Sequence, residues 1–364
     1  MIQYSSYIAF GFLGFQLCNV LINFLFRQRI PKTDGQNDEL LSVLIPARDE
    51  EANIGNLLEA LRNIKNDRIE IVVCNDHSAD NTEGIIRKYA ENDARVRLVQ
   101  SDDLPNGWLG KNHACSQLAH QAKGRYLLFL DADVVVLDNI LADVVSYSKR
   151  YKLGLLSVFP TQITASTSEK CTVPLINYIL LTLLPLIFVR VSPFPSHAAA
   201  NGQFMLFDAE TYRKLHPHEQ FKNSAVEDIA ISRYYKSKKI KTACLTGEER
   251  IRCRMYHSLK SARDGFSKNI FMFFGNVPVL AFFFWTCATF GIVPVLINNR
   301  HLSLPYLSVM VLVQVLYALT SKQNVLATVL CFPAYLFFML QVMIRALKNK
   351  KKKNYLWKGR NIYS

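Results

Sequence analysis

Apolar and charged residues are unevenly distributed along the chain. Residues 4–26 contain no charged side chain and are long enough to cross a bilayer as a helix, whereas residues 38–264 mix apolar and charged positions as a soluble domain does. No basic stretch precedes the first segment, and no small-residue cleavage pattern follows it. The pattern predicts a retained N-terminal transmembrane anchor over residues 1–28 and a globular domain over residues 38–265.

Uncharged segments return after the globular domain. Their approximate limits are residues 274–297, 302–320 and 324–344. We assign residues 270–346 to a C-terminal membrane region and the lysine-rich residues 347–364 to a cytoplasmic tail, because basic segments favour the cytoplasmic side. Arg27 and Arg29 follow the anchor and favour the same side for the globular domain. We therefore expect a multi-pass cell-membrane protein in which two of the three segments cross and the other is re-entrant or interfacial.

Within the globular domain, short apolar runs alternate with amphipathic segments. The predicted strands are residues 40–46, 69–76 and 96–100 and the run RYLLFLDADVVV from Arg125 to Val136. The segments between them, such as DEEANIGNLLEALRNI, have helical spacing, and we expect the acids of this one to lie in the first turn of its helix. Alternating strands and helices predict an α/β fold with a mainly parallel sheet covered on both faces.

Aspartates stand at the ends of these predicted strands. Ligands of open parallel sheets bind outside the carboxyl ends of the strands, so we expect Pro46, Asp76 and Asp131 to line one crevice. In FLDADV, Asp131 and Asp133 could both reach one ion, and two carboxylates suit a hard divalent cation, Mg²⁺ or Mn²⁺. Two alternatives are a loop with two solvated acids and a phosphatase of the haloacid-dehalogenase type. Three preceding strands argue against that phosphatase, whose fold opens with the aspartate strand.

Charge and cysteine content narrow the choice of partners. The net charge is +14, and the last hundred residues contain no acidic side chain. Cations cluster in the tail from Arg345 onward, directly beside an apolar segment, which favours lipid headgroups over nucleic acid as the partner. The eight cysteines are scattered and include no CxxC pair, which predicts neither a zinc site nor a disulfide framework.

Five short motifs follow one another along the chain. They are PARDEE (Pro46 to Glu51), CNDHSADNT (Cys74 to Thr82), GWLGKNHA (Gly107 to Ala114), FLDADV (Phe129 to Val134) and VEDIAIS (Val226 to Ser232). Together they resemble the family 2 glycosyltransferases, which are inverting enzymes with the Rossmann-like GT-A fold. GWLGKNHA, CRMYHSLKSARDGFSKN and the WKGR tail resemble most the membrane-bound branch associated with carotenoid and hopanoid gene contexts, the diaponeurosporenoate glycosyltransferase type.

The resemblance implies a binding site for a nucleotide-sugar donor. The residues implied to hold the donor are Pro46, Ala47, Arg48, Glu50, Asp76, Lys111, Asp131, Asn201 and Gly202. Lys111 follows a glycine loop at a helix start and would meet the diphosphate, although a surface cation is the alternative. The chain departs from the family pattern at Asp49, where Asn is usual, and at Asn75, where Asp is frequent.

The resemblance also implies a metal site and a catalytic base. Asp133, with Asp131 as a second possible ligand, would hold Mg²⁺ or Mn²⁺ and so neutralise charge on the departing nucleoside diphosphate. Asp228 would be the base that deprotonates the acceptor, and Glu227 beside it should raise its pKa. The alternative is that both acids simply favour a helix N-terminus. His257 is a weaker candidate for a metal ligand.

The apolar segment 172–194 is a special case. A crossing there would put Asp133 and Asp228 on opposite sides of the bilayer, so we expect the segment to lie at the membrane interface.

The resulting hypothesis is a membrane-bound, metal-dependent, inverting glycosyltransferase with a UDP-sugar donor and a lipid or terpenoid acceptor. The alternatives are a processive polysaccharide synthase, which is disfavoured because the chain has no QxxRW-like motif, and a non-catalytic membrane scaffold.

Overall fold

The structure is a computed structural model that describes residues 2–33, 38–64, 68–352, 356–357 and 360–361. The strands are β1 (Leu41–Ala47), β2 (Ile69–Asn75), β3 (Val96–Gln100), β4 (Tyr126–Leu130), β5 (Val134–Val136), β6 (Leu155–Gln162), β7 (Phe204–Asp208), β8 (Thr242–Cys253), β9 (Leu356–Trp357) and β10 (Arg360–Asn361).

Helices connect these strands, precede β1 and make up most of the region between β8 and β9. The first helices are α1 (Ile2–Leu25), α2 (Ile54–Arg62), α3 (Thr82–Asn92), α4 (Gly110–Gln121), α5 (Ile140–Tyr151), α6 (Thr167–Lys170), α7 (Leu175–Leu183), α8 (Ile187–Val191) and α9 (Ala209–Leu215). The later ones are α10 (Pro217–Gln220), α11 (Glu227–Ser237), α12 (Leu259–Asn269), α13 (Pro278–Phe290), α14 (Ile292–Asn298), α15 (Ser303–Ser321), α16 (Val325–Leu330) and α17 (Phe332–Lys352). Short 3₁₀ helices cover Pro195–His197, Ile270–Phe274 and Arg300–Leu302.

The described residues divide into two compact units. The sheet unit comprises the described parts of Gln28–Thr161, Phe188–Cys253 and Leu356–Ser364, and the helical unit those of Met1–Arg27, Gln162–Ile187 and Arg254–Tyr355.

An eight-stranded mixed sheet organises the sheet unit, in the order β3-β2-β1-β4-β7-β6-β8-β5. The first four strands in this order are parallel, whereas β7 pairs antiparallel with both β4 and β6, and β5 pairs antiparallel with β8. Nearly every residue of β1, β2 and β4 is buried, as expected for strands covered on both faces. The predicted α/β fold is confirmed, and its parallel part is the half of the sheet in which the predicted crevice lies.

Two local features differ from the sequence prediction. The run from Arg125 to Val136 is not one strand, because it turns after Leu130 and continues as β5 at the far edge of the sheet. The acids of DEEANIG precede α2 and do not lie in its first turn, which contains no acidic residue. They lie in the loop after β1. There Glu51 accepts from the N–H of Asn81 at 3.0 Å, and this hydrogen bond connects the loop after β1 to the loop after β2.

The helical unit contains the candidate membrane spans. Among the described residues, Tyr4–Leu25 and Arg300–Ser321 are long and apolar enough to cross a membrane, with 22 residues each. A third would be the pair Leu259–Phe274 and Pro278–Phe290 if this pair, bent by 98°, were a single span. The predicted segment 324–344 instead divides between α16 and α17.

The apolar segment 172–194 breaks into short helices. α7 has nine residues, so it is about 14 Å long, which is less than half of a hydrocarbon core. Its side chains are buried in the helical unit, where Gln16 of α1 donates to the Tyr178 hydroxyl at 2.8 Å and Asn23 donates to the Leu181 carbonyl at 2.9 Å.

Candidate active site

The first part of the site is the backbone where β1 and β2 end. The N–H of Asp76 donates to the carbonyl of Ala47 at 2.8 Å, and Nη1 of Arg48 donates to the carbonyl of Asp76 at 2.7 Å. Pro46 lies one residue inside the end of β1, in register with Cys74. The structure therefore brings the implied donor residues Pro46, Ala47, Arg48 and Asp76 together, with Asp76 only 5% exposed.

Glu50 lies in the loop after β1. Its N–H donates to Thr82 Oγ1 at 2.7 Å, and its carboxylate accepts from Asn53 Nδ2 at 2.8 Å. The two departures from the family pattern have structural partners in the same region. Asp49 accepts from the N–H of Ala79 at 2.7 Å, and Asn75 donates to Gln100 at 3.0 Å. The contacts of Asp49 and Glu50 hold the loops after β1 and β2 together, and that of Asn75 joins the ends of β2 and β3.

Asp131 and Asp133 lie in the turn between β4 and β5. The N–H of Val134 donates to the Asp131 carbonyl at 3.1 Å, and this contact turns the chain between the two carboxylates. Asp133 accepts from Gln203 Nε2 at 3.3 Å, while the same nitrogen lies 3.0 Å from the sulfur of Cys253. Burial raises the pKa of Asp133 above its usual range, and the negative charges of Asp131 and Glu50 raise it further.

Lys111 is the second residue of α4 and points towards acids from two other elements. Its Nζ lies 2.7 Å from Asp131 Oδ1 and 3.6 Å from Glu227 Oε1. Burial opposes the charge of Lys111, but Asp131 and Glu227 outweigh it and hold its pKa well above the usual range. The ammonium is therefore charged, and it links the turn after β4 to the start of α11.

Glu227 and Asp228 are the first two residues of α11. Asp228 Oδ2 accepts from the N–H of Gly202 at 2.9 Å, and Oδ1 accepts from the N–H of Ile229 at 2.8 Å. Burial, and then the neighbouring Glu227, raise the pKa of Asp228 to about 6. The acids do stand at a helix N-terminus, as the alternative interpretation requires, but they also face Lys111 at the carboxyl edge of the sheet.

Gly202 lies at the centre of this cluster. A Cβ atom at this position would lie 3.3 Å from Glu227 Oε1, 3.4 Å from Lys111 Nζ and 3.6 Å from Asp228 Oδ2. The preceding Asn201 is buried, and its N–H donates to Ser157 Oγ at 2.7 Å. The absence of a side chain at Gly202 leaves space beside the three charged groups.

The chemistry of the two aspartates fits a hard divalent cation. Both offer oxygen ligands, and the repulsion that raises the pKa of Asp133 would be relieved by a bound cation. Asp131 already pairs with Lys111, which favours Asp133 as the principal ligand. Mg²⁺ and Mn²⁺ commonly take one or two protein carboxylates and complete their shell with substrate phosphates and water.

Some residues stand apart from this cluster. His257 is exposed, and Arg254 pairs with the buried Glu169 at 2.8 Å, a structural contact. Sequence reasoning missed two neighbours of the crevice, Cys253 beside Asp133 and Arg360 beside Asp76. It also missed a surface group of His120, His216 and Glu219, whose ligand atoms all lie within 4.8 Å of one another. Cys253 and Arg360 lie in the segments CRMYHSLKSARDGFSKN and WKGR, but neither segment indicates which residue its side chain contacts, because Asp133 and Asp76 lie far away in the chain.

Comparisons with known proteins show which proteins this chain resembles. The family model described as glycosyl transferase family 2 matches residues 42–179. A 4,4'-diaponeurosporenoate glycosyltransferase of Staphylococcus aureus strain MRSA252 is 30% identical over 257 residues, which cover 70% of this chain and 66% of that protein. The protein of the same name from strain USA300 is 27% identical over 364 residues, covering 94% of this chain and 93% of that protein.

A solved structure shares the fold. The mannosyltransferase PcManGT from Pyrobaculum calidifontis, in complex with GDP-Man and Mn²⁺, matches with a TM-score of 0.61 at 13% sequence identity. The match covers 96% of this chain and 100% of that one. The predicted GT-A fold is therefore confirmed.

Proposed function

The chain belongs to glycosyl transferase family 2 and is a glycosyltransferase, and from that premise we propose that it transfers a sugar from a UDP-sugar to a lipid or terpenoid acceptor. We propose further that the anomeric configuration inverts and that the reaction depends on Mg²⁺ or Mn²⁺.

One observation carries this proposal: Lys111, Glu227 and Asp228 converge on the open position at Gly202. Asp131 joins the same group through its 2.7 Å contact with Lys111. This arrangement sets a carboxylate that can take a proton beside a cation that can stabilise a leaving anion. Inverting sugar transfer needs both groups in one pocket, the carboxylate to take the proton of the attacking oxygen and the cation to stabilise the departing diphosphate.

The chemical step follows from these residues. The acceptor oxygen forms a new bond to the anomeric carbon as its proton passes to Asp228, and the bond from that carbon to the diphosphate breaks with its electrons on the leaving oxygen. Lys111 is positively charged and can stabilise the developing diphosphate. Hydrogen bonds from the backbone of Gly202 and Ile229 hold the Asp228 carboxylate in position. A metal ion on Asp133 would supply Lewis-acid neutralisation of the diphosphate charge.

Nucleotide and metal preferences are proposals drawn from the site and from the fold neighbour. The complex of PcManGT contains GDP-Man and Mn²⁺, which supports a nucleotide-sugar donor and a divalent cation here. Pro46, Ala47, Arg48, Glu50 and Asp76 would hold the base and ribose, while Asp131, Asn201 and Gly202 would adjoin the sugar.

The acceptor and the membrane arrangement are also proposals. The name of the Staphylococcus relatives specifies diaponeurosporenoate, a carboxylate, which supports a terpenoid acid as the acceptor, with a terpenoid alcohol as the alternative. The two helices long enough to cross a membrane support a multi-pass protein. We propose that residues 38–265 form a cytoplasmic catalytic domain and that residues 172–194 dock it at the membrane interface.

The test is transfer in a defined membrane. The full chain in lipid nanodiscs with Mn²⁺ would be incubated with UDP- and GDP-sugars and an extract of terpenoid lipids, and the products would be analysed by mass spectrometry and NMR. We expect a glycosylated lipid of inverted anomeric configuration from a UDP-sugar, and none from the Asp228→Asn protein if the acceptor is a hydroxyl. Retention of configuration would exclude the mechanism, and transfer from GDP-sugars alone would exclude the UDP assignment.

A further inference from the structure

Arg360 of β10 lies against Asp76, at the carboxyl edge of the sheet. β10 pairs antiparallel with β9, with Arg360 opposite Trp357 in the register, and both strands belong to the sheet unit. Arg360 Nη1 lies 2.6 Å from Asp76 Oδ2, although the two residues are 284 positions apart in the chain. The Asp76 side chain is 7% exposed and that of Arg360 is 26% exposed, so this contact is mostly removed from solvent.

The absence of a side chain at Gly110 leaves space for the guanidinium of Arg360. A Cβ atom at Gly110 would collide with Nη1 of Arg360 and lie 2.7 Å from Asp76 Oδ2. Gly110 opens α4, and the next residue is Lys111, which points towards Asp131. The guanidinium thus lies against the first residue of the helix that carries the other cation of the site.

This position has consequences for an anionic ligand. A guanidinium offers five N–H donors in a planar fork, and the contact with Asp76 engages one of its nitrogens. The amide groups at the start of a helix of 12 residues also favour negative charge. Arg360, the start of α4 and Lys111 therefore present positive charge along one side of the crevice, where acids otherwise predominate.

We propose that β10 is part of the donor site and that Arg360 binds the nucleoside diphosphate of the donor while orienting Asp76. This inference rests on the proposed function, because it takes Asp76 and Lys111 as donor residues. It assigns Arg360 a direct part in recognising the anionic half of the donor, whereas the lysines that precede it are expected to contact the membrane surface.

The test compares UDP with uridine, since the two ligands differ by the diphosphate alone. Calorimetry on the full chain in nanodiscs with Mn²⁺ would measure both affinities for the wild type, Arg360→Gln, Arg360→Lys and Lys351→Gln. Lys351 is an exposed cation at the end of α17, so its variant removes the same charge from the same end of the chain. Thermal unfolding of each variant would show whether it folds like the wild type.

We expect Arg360→Gln to weaken UDP binding by about 10- to 100-fold, the range for a lost charge-assisted hydrogen bond, and uridine binding far less. Arg360→Lys should retain part of the UDP affinity, and Lys351→Gln should leave both ligands within about twofold. Unchanged UDP binding in Arg360→Gln would overturn the proposal. Tighter UDP binding would also overturn it, because it would show that Arg360 competes with UDP for the site. Equal losses for UDP and uridine would overturn the contact with the diphosphate.

A second variant keeps the test valid if Arg360→Gln does not fold. Gly110→Ala displaces the guanidinium and also crowds Asp76 through its added methyl group, so it should weaken UDP binding in the wild type and less, though still measurably, in the Arg360→Lys background. Additive losses would contradict the proposal. Failure of the wild-type protein to bind UDP or GDP would instead contradict the proposed function, so the two failures are distinguishable.

Discussion

Asp228 is the residue whose role the site geometry defines most narrowly. Its two oxygens are held by the N–H groups of Gly202 and Ile229, and it faces the space beside Gly202. We expect Asp228→Asn to lower transfer to a hydroxyl acceptor by about a hundredfold to ten-thousandfold, while UDP affinity stays nearly unchanged, because a base is needed only when the acceptor attacks. Binding calorimetry and single-turnover transfer measure the two effects separately.

The matched control for this variant is Asp138→Asn. Asp138 is an exposed acid whose partner Lys32 lies 3.7 Å away, and its positive φ of 52° is readily adopted by asparagine. Full transfer activity in Asp228→Asn with a hydroxyl acceptor would remove Asp228 from the mechanism.

The pKa of Asp228 gives a pH dependence with a defined sign. Burial and Glu227 raise this pKa to about 6, so the base is protonated below that pH and available above it. At saturating donor and metal we expect kcat to fall as pH is lowered through about 6 with a hydroxyl acceptor. A carboxylate acceptor is already ionised and should show a much weaker dependence. Identical pH profiles of kcat for the two acceptor types would contradict this assignment.

Asp133 should act on the donor as well as on turnover. Its pKa is raised by burial and by Asp131 and Glu50, and a divalent cation would relieve that repulsion. We expect Asp133→Asn to weaken Mn²⁺-dependent UDP binding by at least about tenfold and to lower transfer too, since the ion contacts the diphosphate before and during reaction. Calorimetry with and without chelator tests this, again with Asp138→Asn as the control. Equal UDP affinity in chelator would argue against a metal at Asp133.

At the scale of elements, sequence patterns located β1 to β4 and α2 to α4 because each is a buried apolar run or an amphipathic segment bounded by turn residues. They did not predict that the aspartate run divides between β4 and β5, since the partner of β5 is the distant β8. Asp76, Asp131 and Asp228 were found from motifs, whereas the contact of Arg360 with Asp76 was not, because no local pattern specifies where a tail returns. The local sequence determines which helices and strands form, whereas tertiary contacts determine which of them become neighbours.

A buried charge network holds α5 to β8 in the sheet unit. Asp143 of α5 pairs with Arg250 of β8 and also accepts from the N–H of Thr33 at 2.8 Å. The Asp143 side chain is 2% exposed, so its loss leaves a nearly buried guanidinium with Glu248 as its remaining acidic partner in this network. We expect Asp143→Asn to lower the free energy of unfolding by about 3 kcal/mol.

The same substitution at the surface provides the comparison. Asp138 and Lys32 are mostly exposed, so Asp138→Asn should cost at most about 1 kcal/mol. Denaturant unfolding of the two variants, followed by circular dichroism, measures the difference. A loss in Asp143→Asn no larger than in Asp138→Asn would show that the buried pair does not stabilise this unit.

At the scale of the whole molecule, the contact between Arg360 and Asp76 constrains the membrane topology. Both residues belong to the sheet unit, so any bilayer crossings between Cys253 and Leu356 must be even in number. If Arg300–Ser321 crosses, a second crossing is required, and the bent pair Leu259–Phe274 and Pro278–Phe290 is the available candidate. Lysines at the end of α17 favour the cytoplasmic side for the tail.

We therefore expect a defined pattern of cysteine labelling from the two sides of the membrane. Single cysteines replacing Asn139, Ser196 and Lys351, all exposed, should be protected from an impermeant maleimide in intact cells and labelled in inverted vesicles. Tyr4→Cys, at the start of the first candidate span, should show the opposite behaviour. The unsubstituted protein corrects for labelling of the native cysteines.

Labelling of positions 139 and 196 from opposite sides would mean that the segment 172–194 crosses the membrane, which would separate Asp133 from Asp228. Labelling of position 351 from outside the cell would contradict the contact between Arg360 and Asp76.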